Sequence, residues 1–239
     1  SVDRIKAEAN YQKLQDMIGV DELKQAVERD IGAVLHNQQL RRFGHEEPST
    51  PPLSLVFVGN PGTGKTKVAR LLGSIYKNLG LLSKGHVHEV SRADLVGDVI
   101  GATEKKTREA IQKAKGGFLF IDEAYALNRS SNNDFGTEAI EVLLKAMSDT
   151  PEDFGVIVAG YPEQMNRFLE SNPGLRSRFS GREISFPDFT PIQLVEIAEA
   201  SIKNLNLQIA DDALRYLERQ FKDAYRNRCA SFGNARYVN

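Results

Sequence analysis

An α/β fold built on a parallel sheet is what this sequence predicts, and three features predict it. Leu53–Val58 is an apolar run without the alternation of a half-exposed strand, so it reads as a strand buried on both faces. Short runs of the same kind recur down the chain, separated by stretches whose apolar residues fall at helical spacing. The first run passes straight into a glycine-rich loop, and Val68, Leu72, Ile75, Tyr76 and Leu79 follow at helical spacing. The order is therefore strand, loop, helix, repeated.

The elements follow in turn. Residues 1–17 read as a polar, helical N-terminal extension. Asp21 is the expected N-cap of a helix carrying Leu23, Val27, Ile31 and Val34 along one face. Arg41–Pro52 is a polar, proline-rich linker into the first strand. His86–Val90 reads as a second strand and Ser91–Thr103 as a loop holding Gly97 and Gly101. Thr103–Lys115 is a helix that Gly116 and Gly117 stop. Phe118–Ile121 is a third, buried strand ending in Asp122 and Glu123. Asn128–Phe135 is a polar loop, and Ile140, Leu143, Leu144 and Met147 mark the next helix. Gly155–Ala159 is a fourth strand, Glu163–Leu169 a short helix and Glu183–Phe186 a fifth strand. Pro187–Thr190 reads as a hinge. Beyond it Thr190 caps a helix with Pro191 at its first position, a second helix starts at Asp211, and Asn234–Asn239 begins a third. The expected organisation is a large α/β part over 18–186 and a small all-helical part over 187–239.

Composition narrows the function. At 239 residues the chain can bury a substantial core. Its 31 basic and 32 acidic residues nearly cancel, which leaves no whole-chain footprint for nucleic acid or an anionic membrane. The single cysteine, Cys229, excludes an intramolecular disulfide and suits a reducing compartment, the cytoplasm or an organelle matrix. No apolar run approaches the roughly 20 residues that cross a bilayer, and the polar start lacks the apolar core of a signal peptide. Beginning at Ser rather than Met, the chain is expected to be a trimmed fragment.

The loop after the first strand carries the chemistry. Gly59-Asn-Pro-Gly-Thr-Gly-Lys65-Thr66 fits G-x-x-x-x-G-K-[ST]. Its glycines let the backbone approach a polyphosphate and turn N–H groups inward, and the helix start adds unpaired N–H groups and a positive dipole end. Pro61, Gly62, Thr63 and Gly64 are thus expected to wrap the phosphates. Lys65 would neutralise the β and γ phosphates and the Thr66 hydroxyl would ligate Mg²⁺. A glycine-rich turn with a chance lysine would not need a buried strand before it and a helix after it.

Phe118-Leu-Phe-Ile-Asp-Glu123 supplies the second half. Asp122, at the end of a buried strand, is placed to hold Mg²⁺ directly or through water, and Glu123 to polarise an attacking water. Tyr125 stands where a GTPase would carry Gly, and no N-K-x-D guanine reader occurs, so ATP is the expected nucleotide.

These paired motifs and the helical tail resemble the AAA+ ATPases. More narrowly, Asp94-Leu-Val-Gly, Ile100-Gly-Ala-Thr103, Gly117-Phe-Leu-Phe-Ile-Asp-Glu-Ala-Tyr125, Ala159-Gly-Tyr161 and Ser171-Asn-Pro-Gly-Leu-Arg-Ser-Arg-Phe179 are similar to the CbbX/CfxQ group, which contains red-type Rubisco activase and stage V sporulation protein K. The resemblance implies a phosphate-loop α/β domain followed by a helical lid, and a homo-oligomeric ring, a hexamer, that acts on a protein client. It assigns Ile18 and Gly19 to adenine packing, with a plain helix-entry turn as the other reading. Arg178 matches an arginine finger that reaches a neighbouring subunit's γ-phosphate; Arg176 and Arg182 lie close by, and surface salt bridges are their other reading. Arg236, in Gly233-Asn-Ala-Arg236, matches a second sensor on the lid.

Two positions depart from the family pattern. The fourth strand ends in Ala159-Gly160-Tyr161 where a polar sensor is usual, so Tyr161 or Asn166 would have to substitute. The loop that carries a substrate-gripping aromatic in relatives has Val99 here, which bears on whether a chain is threaded at all. The rival to a remodelling motor is therefore a nucleotide-gated scaffold that docks a partner; a DNA-associated clamp-loader type would want a basic stripe that is missing. His86 and His88, two apart on a strand, have metal-ligand spacing without a third ligand. Arg41-Arg42 and Lys105-Lys106 read as solvated helix faces.

Overall fold

The computed structural model describes residues 8–44, 51–99, 101–128, 135–149, 153–228 and 232–238. The expected linker residues 45–50, the loop residues 129–134, Ile100, Cys229 and Asn239 lie outside them.

The predicted strands are present as β1 (Ser54–Gly59), β2 (Val87–Val90), β3 (Phe118–Ile121), β4 (Gly155–Gly160) and β5 (Glu183–Phe186), joined in one sheet of order β2-β3-β4-β1-β5. Parallel registers pair Val87 with Phe118, Phe118 with Gly155 and Ser54 with Val156. Their continuous apolar runs follow from this order, because β1, β3 and β4 are buried along nearly their whole length. β5, at the edge, alternates exposed and buried.

The helices are α1 (Ala9–Gln15), α2 (Asp21–Arg42), α3 (Lys65–Asn78), α4 (Arg92–Leu95), α5 (Ala102–Ala114), α6 (Gly136–Asp149), α7 (Pro162–Glu170), α8 (Pro173–Phe179), α9 (Pro191–Asn204), α10 (Asp211–Arg226) and α11 (Ala235–Val238), with a 3₁₀ turn at Ala124–Leu127. By internal contacts the chain divides into two compact units, residues 1–58 with 66–185, and residues 59–65 with 186–239.

In the first unit each sheet face has its own apolar layer. Val56, Val58, Leu119, Ile121, Val156 and Val158 pack with Ile111 of α5, Leu143 of α6, Phe168 of α7 and Phe179 of α8. The alternate residues meet on the other face. Phe57 and Phe120 make an edge-on pair at 6.5 Å, and Tyr76 of α3 lies 5.6 Å from Phe118. Fully burying a side chain of that size is worth about 1.5–3 kcal/mol, so these rings dominate the layer.

Under that layer sits a polar lock. Asp30 of α2 is 3% exposed and accepts both guanidinium Nη atoms of Arg182 at 2.9 Å. The Tyr76 hydroxyl donates to Asp30 and accepts from Arg182 at 3.2 Å. Burial first, then the Asp30 charge, drives the Tyr76 hydroxyl's pKa far up. Burial alone would lower Arg182, yet its bonds to Asp30 and Tyr76 outweigh that and raise it. The surface salt bridge expected for Arg182 is thus a buried one: packing of α2 and α3 against the entry to β5 takes the pair out of water.

Three local expectations shift. Asp21 is the first residue of α2 rather than its cap; Val20 takes that place with no side-chain bond, and Asp21 and Glu22 instead put negative charge on the first turn. β2 starts at Val87, one residue after His86. Helix α8 falls where the sequence reading places no element; Pro173 is tolerated in the first turn, and Asn172 caps it through Gly174 N–H at 2.7 Å. Thr190 caps α9 as expected, in a reciprocal pair with Gln193.

Candidate functional site

In the first unit the carboxyl ends of β3 and β4 converge on a small acidic and aromatic cluster. Asp122 follows β3 with its N–H bonded to Val90 O at 3.1 Å, which holds its backbone at the carboxyl end of a central strand, and its side chain is exposed. One carboxylate oxygen accepts from Glu123 N–H at 3.1 Å. Glu123 then takes a left-handed backbone, φ +48°, which few side chains adopt without an imposed turn. That turn is enforced by Ala124 and Leu127, both buried in the core layer. Burial of the Tyr125 hydroxyl, together with the nearby Glu123 charge, pushes it up to about 12.

The unusual end of β4 packs here too. Tyr161 and Tyr125 lie 6.2 Å apart, centroid to centroid. A Cβ on Gly160 would come within 2.7 Å of the Tyr125 ring, so the glycine is what lets that ring lie on the backbone. Asn166, the other substitute considered for the polar sensor, is exposed on α7. Thr66, on the first turn of α3, is half-buried.

Arg178 stands on α8, anchored by buried Leu175 and Phe179. Its guanidinium donates to Ser148 Oγ of α6 and, at 3.4 Å, to Gly174 O. It is half-buried, Arg176 is exposed, and Arg182 is committed to Asp30. Ile18 and Gly19 occupy the turn between α1 and α2, half-buried, ahead of the core residue Val20.

Val99, 65% exposed, sits in the loop between α4 and α5. That loop is held from below: Gly97 N–H donates to Thr103 Oγ1 at 3.0 Å, and Lys106 Nζ to Ala93 O and Val96 O at 3.2 and 3.0 Å. Lys106, exposed on α5 as expected, also caps the end of α4. His86 Nε2 is engaged by Lys113 O at 2.7 Å. His86 and His88 are both half-buried, and among the described residues no group of three or more His, Cys, Asp or Glu is placed to hold a metal.

The second unit contains the glycine-rich loop itself. Lys65 Nζ donates to Gly59 O at 2.7 Å and Asn60 O at 2.8 Å, and buried Thr63 donates its hydroxyl to Asn60 O at 2.8 Å. Gly62 has φ +74°, and a Cβ there would sit 2.0 Å from Gly233 O. The loop is seated on the segment around Gly233-Asn-Ala-Arg236: Ala235 N–H donates to Gly62 O at 3.2 Å and Asn234 Nδ2 to Pro61 O at 3.3 Å. Arg236 is exposed on α11. The first turn of α3 carries no acidic residue that would oppose an anion at the loop.

Sequence reasoning named Arg236 in that segment and passed over Asn234, which is fully buried. Its φ of +48° is a conformation that Asn tolerates better than most residues. An Asn directly after a Gly, just ahead of a short helix, was the available signal.

Comparisons with known proteins agree with this architecture. Residues 55–187 match the model of the ATPase family associated with various cellular activities, AAA, and residues 190–239 match the AAA lid domain. The chain is 44% identical over 84% of its length to stage V sporulation protein K of Bacillus subtilis, spanning 62% of that protein. It is 44% identical to the chloroplastic ribulose bisphosphate carboxylase/oxygenase activase of Cyanidioschyzon merolae, over 95% of this chain and 73% of that one. With Protein CbbX of Cereibacter sphaeroides the identity is 41% over 94% and 72%. The structure of a FIGL-1 AAA domain in complex with ADP superposes with a TM-score of 0.60 at 22% identity, over 90% of this chain and 68% of that one, a likeness of fold. Sheet order, helical C-terminal segment and sequence identity agree: the chain belongs to the AAA family of ATPases, in the group of CbbX, CfxQ and Rubisco activase.

Proposed function

We propose that this chain binds ATP with Mg²⁺ and hydrolyses it at a site completed by a second copy, in a ring that remodels a protein client. The observation that carries the reading is the state of Lys65. Its ammonium is held by two carbonyls of its own loop, Gly59 O and Asn60 O, so a cation lies pre-positioned among backbone groups at a helix start. That donor set fits a polyphosphate. Lys65 would exchange a loop carbonyl for phosphate oxygens, with Pro61, Gly62, Thr63 and Gly64 supplying the surrounding backbone. Thr66 and Asp122 offer the hard oxygen ligands that Mg²⁺ prefers, and the metal when bound would neutralise phosphate charge.

In this scheme Glu123, on its left-handed turn after Asp122, orients and deprotonates the attacking water. Arg178, held by Ser148, is presented to a neighbouring copy, where a planar, permanently charged donor stabilises charge on the transferred phosphoryl group. Ile18 and Gly19 flank the base, and Arg236 reads the nucleotide from the lid. The relatives named as an activase of another enzyme support a protein client. The described residues contain no helix long and apolar enough to cross a membrane.

A second reading, an ATP-gated docking scaffold, is favoured by Val99. The side chain is 65% exposed, placed where it could meet a client, but it lacks a ring face. Burying it supplies about 1–2 kcal/mol, less than an aromatic would. In a motor, Val99→Tyr should raise client-stimulated ATPase activity and pulling on a tethered client several-fold; in a scaffold it should change neither. Vigorous threading by wild type and equally by Val99→Ala would remove this residue from the argument.

A further inference from the structure

The glycine-rich loop is held by a polar network that neither the phosphate-loop motif nor Arg236 accounts for. Asn234, fully buried, accepts from Phe189 N–H at 2.8 Å. Its amide donates to Asp188 Oδ1 at 2.7 Å, to Phe232 O at 3.1 Å and to Pro61 O at 3.3 Å. The same Asp188 oxygen accepts from Asn60 Nδ2 at 2.9 Å, and the other faces Arg228 Nε at 3.5 Å. Asn60 in turn presents the carbonyl that holds both Lys65 Nζ and Thr63 Oγ1. A continuous chain of contacts thus runs from Phe189 through Asn234, Asp188 and Asn60 to Lys65, all within one compact unit.

We propose that Asp188 and Asn234 are positioning residues for nucleotide binding: they fix the backbone of Asn60 and Pro61, and through it the place of the Lys65 ammonium. This rests on the reading of the loop as a nucleotide site. The physical argument is satisfaction. A half-buried carboxylate that takes two amide donors and faces a guanidinium favours one arrangement, and a buried Asn with both ends engaged cannot rotate to a second. The loop therefore meets its ligand already shaped, and affinity is lost when the loop must be ordered at the moment of binding.

The test is direct binding of a fluorescent ADP analogue to the full chain, well below each variant's melting temperature, alongside Tm without nucleotide. Asn234→Gly keeps the left-handed backbone and removes the side chain. Asn234→Asp sets two carboxylates face to face. The double variant Asp188→Asn with Asn234→Asp restores an amide–carboxylate pair at the same place. We expect Asn234→Gly to weaken binding about tenfold or more and Asn234→Asp further, with the double variant recovering most of the difference between them. Because the residues act through loop shape, KM for ATP should rise more than kcat falls. If all three variants bind the analogue as wild type does and only Tm falls, the residues are structural and the proposal is overturned. Lys65→Ala separates the two layers: loss of binding in Lys65→Ala with none in the Asn234 variants overturns this proposal alone. If wild type binds no analogue, the nucleotide reading fails and the proposal with it.

Discussion

Substituting Arg178 by Ala should lower the turnover of the assembled protein by about a thousandfold or more, the range over which trans arginines act, while an isolated subunit keeps its nucleotide affinity. The argument is geometric. The guanidinium is held by Ser148 and by its own helix carbonyl at Gly174, and α8 is pinned by Leu175 and Phe179. Its removal leaves no buried charge unpaired, so folding should be little affected. Specific activity of the wild-type protein should rise with concentration, and full activity in a demonstrably monomeric preparation would contradict the assignment. Arg176→Ala, on the exposed side of the same helix, is the control for a general loss of positive charge.

Lys65→Ala should abolish practical ATP affinity. A charge-assisted bond to phosphate is worth about 1.5–3 kcal/mol, and Lys65 now makes two bonds that phosphate oxygens would replace. Loss of two such contacts corresponds to roughly 10²–10⁴ in Kd. Titration of ATP by calorimetry reads this directly. The half-buried loop leaves the two vacated carbonyls within reach of water, so Tm without nucleotide should change little.

Much of this molecule was legible because its signals are local and strong. A fully buried strand has to be apolar on both faces, so β1, β3 and β4 announce themselves, and a strand–loop–helix with Gly and Lys at fixed spacing has few other uses. Residues 183–186, which alternate polar and apolar, form the edge strand, and Thr190 is legible as a cap from Pro191 beside it. What stayed hidden is long-range. Arg182 looks like any surface arginine until α2 delivers Asp30 to it from 152 residues away. Asn234 has no periodicity to betray it; only folding brings it against Pro61 and Asp188, 173 and 46 residues distant. Asp21 illustrates a smaller ambiguity: an acid at a helix start serves as cap or as first-turn charge, and the choice depends on the backbone of Val20.

The central claim is a division of labour in which Lys65 binds ATP and Glu123 turns it over. The measurement that tests it most directly is ATP binding by calorimetry together with single-turnover hydrolysis on Glu123→Gln and Lys65→Ala in parallel. The account predicts that Glu123→Gln binds ATP within a few-fold of wild type and accumulates in the ATP-bound state, its hydrolysis reduced about 10²–10⁴-fold by loss of the general base, while Lys65→Ala shows no binding to compare. Equal loss of ATP binding in the two variants would contradict it.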